Sequence, residues 1–334
     1  MLTKIERFTE ESAQIAAEIL KSGGIVAVPT ETVYGLAANA LDENAVRSIF
    51  TAKGRPQDNP LIVHISDFDM IKPLVTEIPA LAKRLAEKFW PGPFTMIFDK
   101  SDIIPSATSG GLSTVAVRMP DNNAARTIIE KCGFPLAAPS ANTSGKPSPT
   151  TAQHVFDDMN GKIPLIIDGG ECMVGVESTV ICFKSGRIHI LRPGGITKEM
   201  LEEFAEVEID KAVEAAPKPD EKVLSPGMKY KHYSPKADVF IVDAHGEDFA
   251  EFCREKSDEK TLFFSCGERE GALDYGEKSE IQAHRLFALL RKADETGAER
   301  VYVEMPSKEG VGLAVYNRLL RAAGFKIISA GKGE

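Results

Sequence analysis

The stretch Phe50–Ile65, FTAKGRPQDNPLIVHI, decides how the first half of the chain is read. It joins a helix-like run, NAVRSIFTAK, to an apolar strand-like run, LIVHI, through a glycine and an Asn-Pro turn. Gly54 is placed to end the helix as its C′ residue. Lys53 and Arg55 flank that glycine in a chain with an acid excess, 40 Lys and Arg against 49 Asp and Glu. With one residue between them on an extended or turn backbone, both can face a single anion. Arg offers a planar fork for phosphate oxygens and Lys a compact charge. Asn59, kept extended or in a turn by Pro60, has its amide free for the same purpose. A solvated helix end, whose dipole favours cations, accounts for the pair equally well.

Outward from this stretch, GGIVAVPT reads as a buried strand and PALAKRLAEKFW as a helix stopped by PGP. FTMIFD, TVAVRMP, LAAPSA, LIIDGG, STVICF and RIHILRPG supply six more strands, with helical spacing between them only in NAARTIIEKC and TAQHVFDDM. Residues 1–207 therefore predict a strand-rich α/β domain with a mixed sheet rather than a regular βαβ array. The segment 208–236 carries four prolines and no clean period, and reads as a linker. Residues 237–334 alternate strand and helix and predict a small Rossmann-like domain. Its first strand–helix turn, DAHGED, lacks GxGxxG, so no nucleotide is expected there.

A chain of 334 residues is long for one core, which agrees with two domains. The net charge of −9 speaks against a long nucleic-acid groove, though not against a pocket for one small anion. No run is long enough to span a bilayer, and charges interrupt the first twenty residues, so a cytoplasmic protein is expected. Cys132, Cys172, Cys182, Cys253 and Cys266 form no CxxC pair, which argues for reduced thiols and against a zinc ribbon.

Further candidates lie at strand ends. APSANTSGKPSPT (138–150) follows an apolar strand and can present hydroxyls, an amide and backbone N–H groups to an anion; it also reads as a self-bonded turn. Arg118 sits in an apolar strand and needs a partner, a carboxylate of the protein or of a ligand. Glu177, Ser178 and Thr179, and likewise Thr30, Glu31, Thr32 and Tyr34, cluster where α/β proteins bind ligands or cap turns. His64 has no second His or Cys near it and is a poor metal ligand. Arg192 is a turn cation. No GxSxG, HExxH or GxxxxGK[ST] occurs, so the chemistry suggested is electrostatic positioning rather than a side-chain nucleophile.

Lys53-Gly-Arg55 followed by Ser140-Ala-Asn142 resembles the KxR…SxN signature of the YrdC family, the L-threonylcarbamoyladenylate synthases. VPTETVYGLAANA, KGRPQDNPL, WPGPFT, VAVRMP, APSANTSGKPSPT, VESTV and LRPG resemble that family's motifs in its order, over about residues 15–200. SPGMKYKHYSP and the domain after it resemble the long, two-domain form. The resemblance implies a twisted open sheet with a concave active-site face. It implies a reaction of L-threonine, bicarbonate or CO2, and ATP with Mg2+, giving threonylcarbamoyl-AMP and pyrophosphate. The product would pass to a tRNA threonylcarbamoyltransferase complex; the charge gives no indication of direct tRNA contact.

By the same resemblance, Lys53, Arg55, Ser140 and Asn142 form the catalytic signature. Together with Asn59, Thr114, Ser148, Arg192 and Tyr230 they contact ATP. Thr32, His64, Arg118, Ala138 and Ser178 contact threonine, and no metal ligand is assigned to the protein. Tyr230, His232 and Tyr233 read either as the tip of a lid that excludes water or as glue between domains. Two rivals are a nucleic-acid-binding module and a carbamoyltransferase like those of hydrogenase maturation, whose zinc-finger cysteines this chain lacks.

Overall fold

The computed structural model describes residues 2–57, 59–215 and 232–330. The first 209 residues build an 11-stranded sheet. Its order across the sheet is Lys4–Arg7, Leu165–Asp168, Val26–Val28, Gly35–Asn39, Leu136–Ala137, Ile62–His64, Thr114–Arg118, Phe94–Asp99, Thr179–Lys184, Arg187–Arg192 and Val207–Ile209. Parallel and antiparallel pairs alternate irregularly, as in Ile62–His64 with Thr114–Arg118 (parallel) and Thr114–Arg118 with Phe94–Asp99 (antiparallel). The last strand runs two residues into the segment 208–236, and a short 3-10 turn, Lys211–Val213, follows it.

Register decides which face does what. Val63, Val117, Met96 and Ile181 point to one face, where the helices Glu43–Lys53 and Ala80–Phe89 bury Ile49, Phe50, Leu85 and Phe89 in the main core. Their neighbours along each strand, Ile62, Ala116, Ile97, Val180 and Cys182, lie on the opposite face because side chains alternate. These form a separate thin cluster with Leu191 and Ala212. His64, Arg118, Thr95 and Arg192 belong to the same face. At the other end of the sheet the helices Glu10–Lys21 and Asn123–Cys132 pack on Val26, Val28, Leu165 and Ile167.

The small domain is a five-stranded parallel sheet, ordered Leu273–Asp274, Thr261–Ser265, Arg300–Glu304, Asp238–Asp243 and Ile327–Ser329. The helices Ser279–Thr296 and Val311–Ala322 bury Phe287, Leu290, Val315 and Leu319 against it. Val33 and Val176, from the large-sheet region, share that core. Gly175 makes the junction possible: a Cβ there would lie 2.4 Å from the His284 Cα, and its φ of +80° suits glycine.

Several elements escape the sequence reading, among them one long helix and two strands of the large sheet. The helix Glu10–Lys21 is closed by a reciprocal cap between Thr9 and Ser12, but charged residues disguise it. The strands Lys4–Arg7 and Gly35–Asn39 are short, and the first is exposed throughout. All five cysteines are free thiols.

Candidate active site

A cleft forms where the thin-cluster face of the large sheet meets the loop after Leu136–Ala137 and the segment His232–Tyr233. It is lined by Thr32, Val33, Arg55, Leu61, Ile62, His64, Arg118, Ala138, Pro139, Ser140, Glu177, Ser178, Arg192, His232 and Tyr233. Three arginines reach it from three separate elements: Arg55 just after Gly54, which caps the helix Glu43–Lys53, Arg118 at a strand end and Arg192 at another.

Arg118 is 3% exposed. Its Nε donates to the Gly92 carbonyl (3.3 Å), Nη1 to Thr32 Oγ1 (2.9 Å), and Nη2 pairs with Glu31 Oε2 (2.7 Å). The partner that its apolar strand demanded is thus the protein's own carboxylate, while the side chain still lines the cleft. Thr32 is fixed in turn by Thr30 at 2.8 Å. His64 pairs across the strands with Arg118, and its Nδ1 lies 3.2 Å from the Ile62 carbonyl. Burial, with Arg118 beside it, lowers the His64 pKa to about 3, so the ring is neutral.

Arg192 donates to the Ser178 carbonyl and to Ser178 Oγ, both at 3.1 Å, and Ser178 Oγ lies 2.8 Å from Thr95 Oγ1. Burial pulls the Arg192 guanidinium down to about 10, with Arg318 and Arg118 adding to the shift. It remains charged at neutral pH. Burial, then Arg55 and Lys53, lowers His232 to about 4. The cleft therefore holds fixed cations whose own hydration has been removed, an arrangement suited to an anion.

The remaining expected residues divide. Lys53 is 2% exposed and lies behind the cleft wall. Its ammonium donates to the carbonyls of Ser140 and Asn142, the second at 2.7 Å. The solvated-helix-end reading therefore fails for Lys53: the side chain anchors the Ser140–Asn142 turn. Burial and the nearby Arg55 hold its pKa well below the usual lysine value. Asn142 turns its amide inward, donating to the carbonyls of Thr143 and Lys146 at 2.9 Å each, and so shapes the loop. Ser148 is fully buried and donates to Glu177 Oε1 at 2.5 Å. Asn59 is buried beside Gly110, whose Cβ would meet the Pro60 backbone. Thr114 does not line the cleft. It starts the strand that ends at Arg118, about 13 Å away at the usual rise per residue. Tyr230 lies outside the described residues.

A protein family described as "Telomere recombination" matches residues 18–194, and one described as "Threonylcarbamoyl-AMP synthase, C-terminal domain" matches residues 196–324. The Pyrococcus abyssi protein named threonylcarbamoyl-AMP synthase is 46% identical over 332 residues, 97% of each chain. The chain belongs to the threonylcarbamoyl-AMP synthase family. The Bacillus subtilis synthase is 43% identical over 94% of this chain and 93% of its own. A crystal structure of Pyrococcus abyssi Sua5 complexed with L-threonine superposes with a TM-score of 0.90 at 46% identity, covering 98% of both chains. Escherichia coli YciO, 21% identical over 58% of this chain with a TM-score of 0.52, shares the fold. The rival readings as a nucleic-acid module or a hydrogenase-maturation carbamoyltransferase give way to this synthase family, in its two-domain form.

Glu177 stands in VESTV, a polar strand-end cluster that the sequence reads as binding ligands or capping turns, with no partner assigned to the carboxylate. Its cation lies 141 residues away, so no local pattern could have found it.

Proposed function

We propose that the cleft condenses L-threonine, bicarbonate or CO2, and MgATP into threonylcarbamoyl-AMP and pyrophosphate, for tRNA threonylcarbamoyladenosine formation. The observation that carries the reading is Arg118. It is a buried guanidinium pinned on three sides yet facing the cleft, and it offers a ready-oriented seat for an amino-acid carboxylate. Thr32, the neutral His64, Ala138 through its backbone, and Ser178 surround that seat and fit the small hydroxylated side chain. Arg55 and Arg192 face the polyphosphate, with Ser140 and the turn held by Lys53 and Asn142 beside them. Leu61 and Ile62, which line the cleft, offer the rest of the nucleotide an apolar surface.

The carbamate of threonine attacks the α-phosphorus through one oxygen as the bond to the bridging oxygen of pyrophosphate breaks. Threonine's nitrogen arrives already acylated, so the chain's part is alignment and charge neutralisation. Mg2+ enters with the ATP phosphates. Glu31 and Glu177, the carboxylates nearest the cleft, are each committed to an arginine, so neither is a free ligand for it. The enclosure of the cleft by His232 and Tyr233 protects the mixed anhydride from water.

Pyrophosphate release, measured with each amino acid in turn and with or without bicarbonate, tests the proposal. Threonine and bicarbonate should be required together. Equal turnover with ATP alone would mean an ATPase instead.

A further inference from the structure

Arg318 belongs to the second domain, on the helix Val311–Ala322, and is the largest fully buried side chain among the described residues. It crosses to the first domain. Nε donates to Glu177 Oε2 at 2.8 Å, Nη2 to the Glu177 carbonyl at 3.2 Å and Nη1 to the Pro193 carbonyl at 2.9 Å. Asn317 Oδ1 accepts a further bond from Nη1, and the Tyr233 ring lies 5.8 Å from the guanidinium carbon. Glu177 is itself 6% exposed and lines the cleft, with its other oxygen bonded to Ser148. Although burial raises the Glu177 pKa, Arg318 and Arg192 outweigh it and hold the carboxylate ionised.

We propose that Arg318 is a positioning residue of the cleft: by binding Glu177 it cancels the carboxylate found among the described lining residues and so keeps that negative charge from opposing the polyphosphate. The second domain would thereby complete the nucleotide site of the first. The inference rests on the reading of the cleft as an ATP site. A buried carboxylate deprived of its cation cannot stay as it is. Its uncompensated charge then faces the cleft and repels the phosphates directly. Packing alone gives a different expectation, because an apolar residue of similar length would then serve as well as arginine whatever stood at position 177.

The test uses the full chain and measures dissociation constants for MgATP and for L-threonine by calorimetry, with melting temperature as control. Arg318→Met should weaken MgATP roughly tenfold or more, as for truncation of a buried charge pair, and change threonine less. The double variant Arg318→Met with Glu177→Gln should recover most of the lost ATP affinity, because the uncompensated charge is gone. If the single variant does not fold, the double variant decides alone: a folded protein that binds ATP supports the proposal. An ATP affinity unchanged in the single variant, or no better in the double than in the single, overturns it. A double variant that does not fold overturns it as well. A wild-type chain that binds no ATP overturns the functional reading and this inference with it.

Discussion

At the cleft of the large sheet three arginines converge from separate elements, whereas at the carboxyl end of the small sheet a carboxylate faces a ring of donors. Glu304 ends the central strand of the parallel sheet and is 2% exposed. Its Oε1 accepts from the Gly246 N–H at the start of the helix Gly246–Lys256 (3.0 Å), and its Oε2 from the Cys266 N–H (2.7 Å). The carboxyl end of a parallel sheet, beside a helix N-terminus, is where such folds ordinarily take a phosphate. Here the protein's own anion occupies that position. The more regular sheet has filled its crevice, and the irregular one has kept cations facing a cleft. Strand order alone therefore does not locate a site; what matters is which charge the converging groups present to the space between them.

The comparison can be broken most forcefully at Lys53. Lys53→Ala leaves the Ser140 and Asn142 carbonyls without their donor, at about 1–3 kcal/mol for each buried group. Pyrophosphate release should fall by roughly a hundredfold or more as the turn loses its shape. Melting temperature should fall with it, because the residue is buried. Full activity with an unchanged melting temperature would return Lys53 to the surface-cation reading.

Next in size is Arg118→Leu. Threonine KM should rise about a hundredfold, the scale of a lost charge-assisted bidentate contact, with ATP KM much less affected. An equal rise for both substrates would put Arg118 on the phosphates.

Glu304→Ala sharpens the comparison from the other side. The Gly246 and Cys266 N–H groups lose their acceptor, so stability should drop by about 1–3 kcal/mol while turnover stays within twofold. Inorganic phosphate should then raise the melting temperature of the variant and not of the wild type. If phosphate stabilises both equally, the crevice was never filled by Glu304.

The smallest effect is on pH dependence. The folded pKa values of His64 and His232, about 3 and about 4, lie below the ordinary 6.5. Between those values the unfolded chain binds more protons, so stability rises with pH. The contribution is complete above about pH 6.5 and is lost as pH falls towards 4. Melting temperature across pH 4–7 should show this slope, and His232→Gln should flatten it. A variant with the wild-type slope would remove His232 from the account.

Much of the fold was legible because it is written locally. Gly54 at φ +61° ends the helix Glu43–Lys53 where the FTAKGRP stretch says it should, and the apolar runs became the strands that bear Arg118 and Arg192 and the one that begins just after Ser178. The helix Glu10–Lys21 was not legible, since its apolar stripe is mostly alanine and its surroundings are charged.

By itself the sequence determined which residue types stand at element ends: the cations Lys53 and Arg55 about a helix C-terminus, Arg118 and Arg192 at strand ends, the hydroxyls of the 138–150 loop, and the family motifs they compose. Those follow from local spacing and turn chemistry, which one segment of chain contains entirely. Only the tertiary structure decided what each cation does. Lys53 is drawn inward by two carbonyls 87 and 89 residues away, Arg118 is held by Thr32 and Glu31, 86 and 87 residues upstream of it, and Glu177 is neutralised by Arg318 from another domain. The physical reason is that the worth of a buried charge depends on the groups that replace its water. Those groups are brought together by sheet register and domain packing, which no short stretch of sequence encodes.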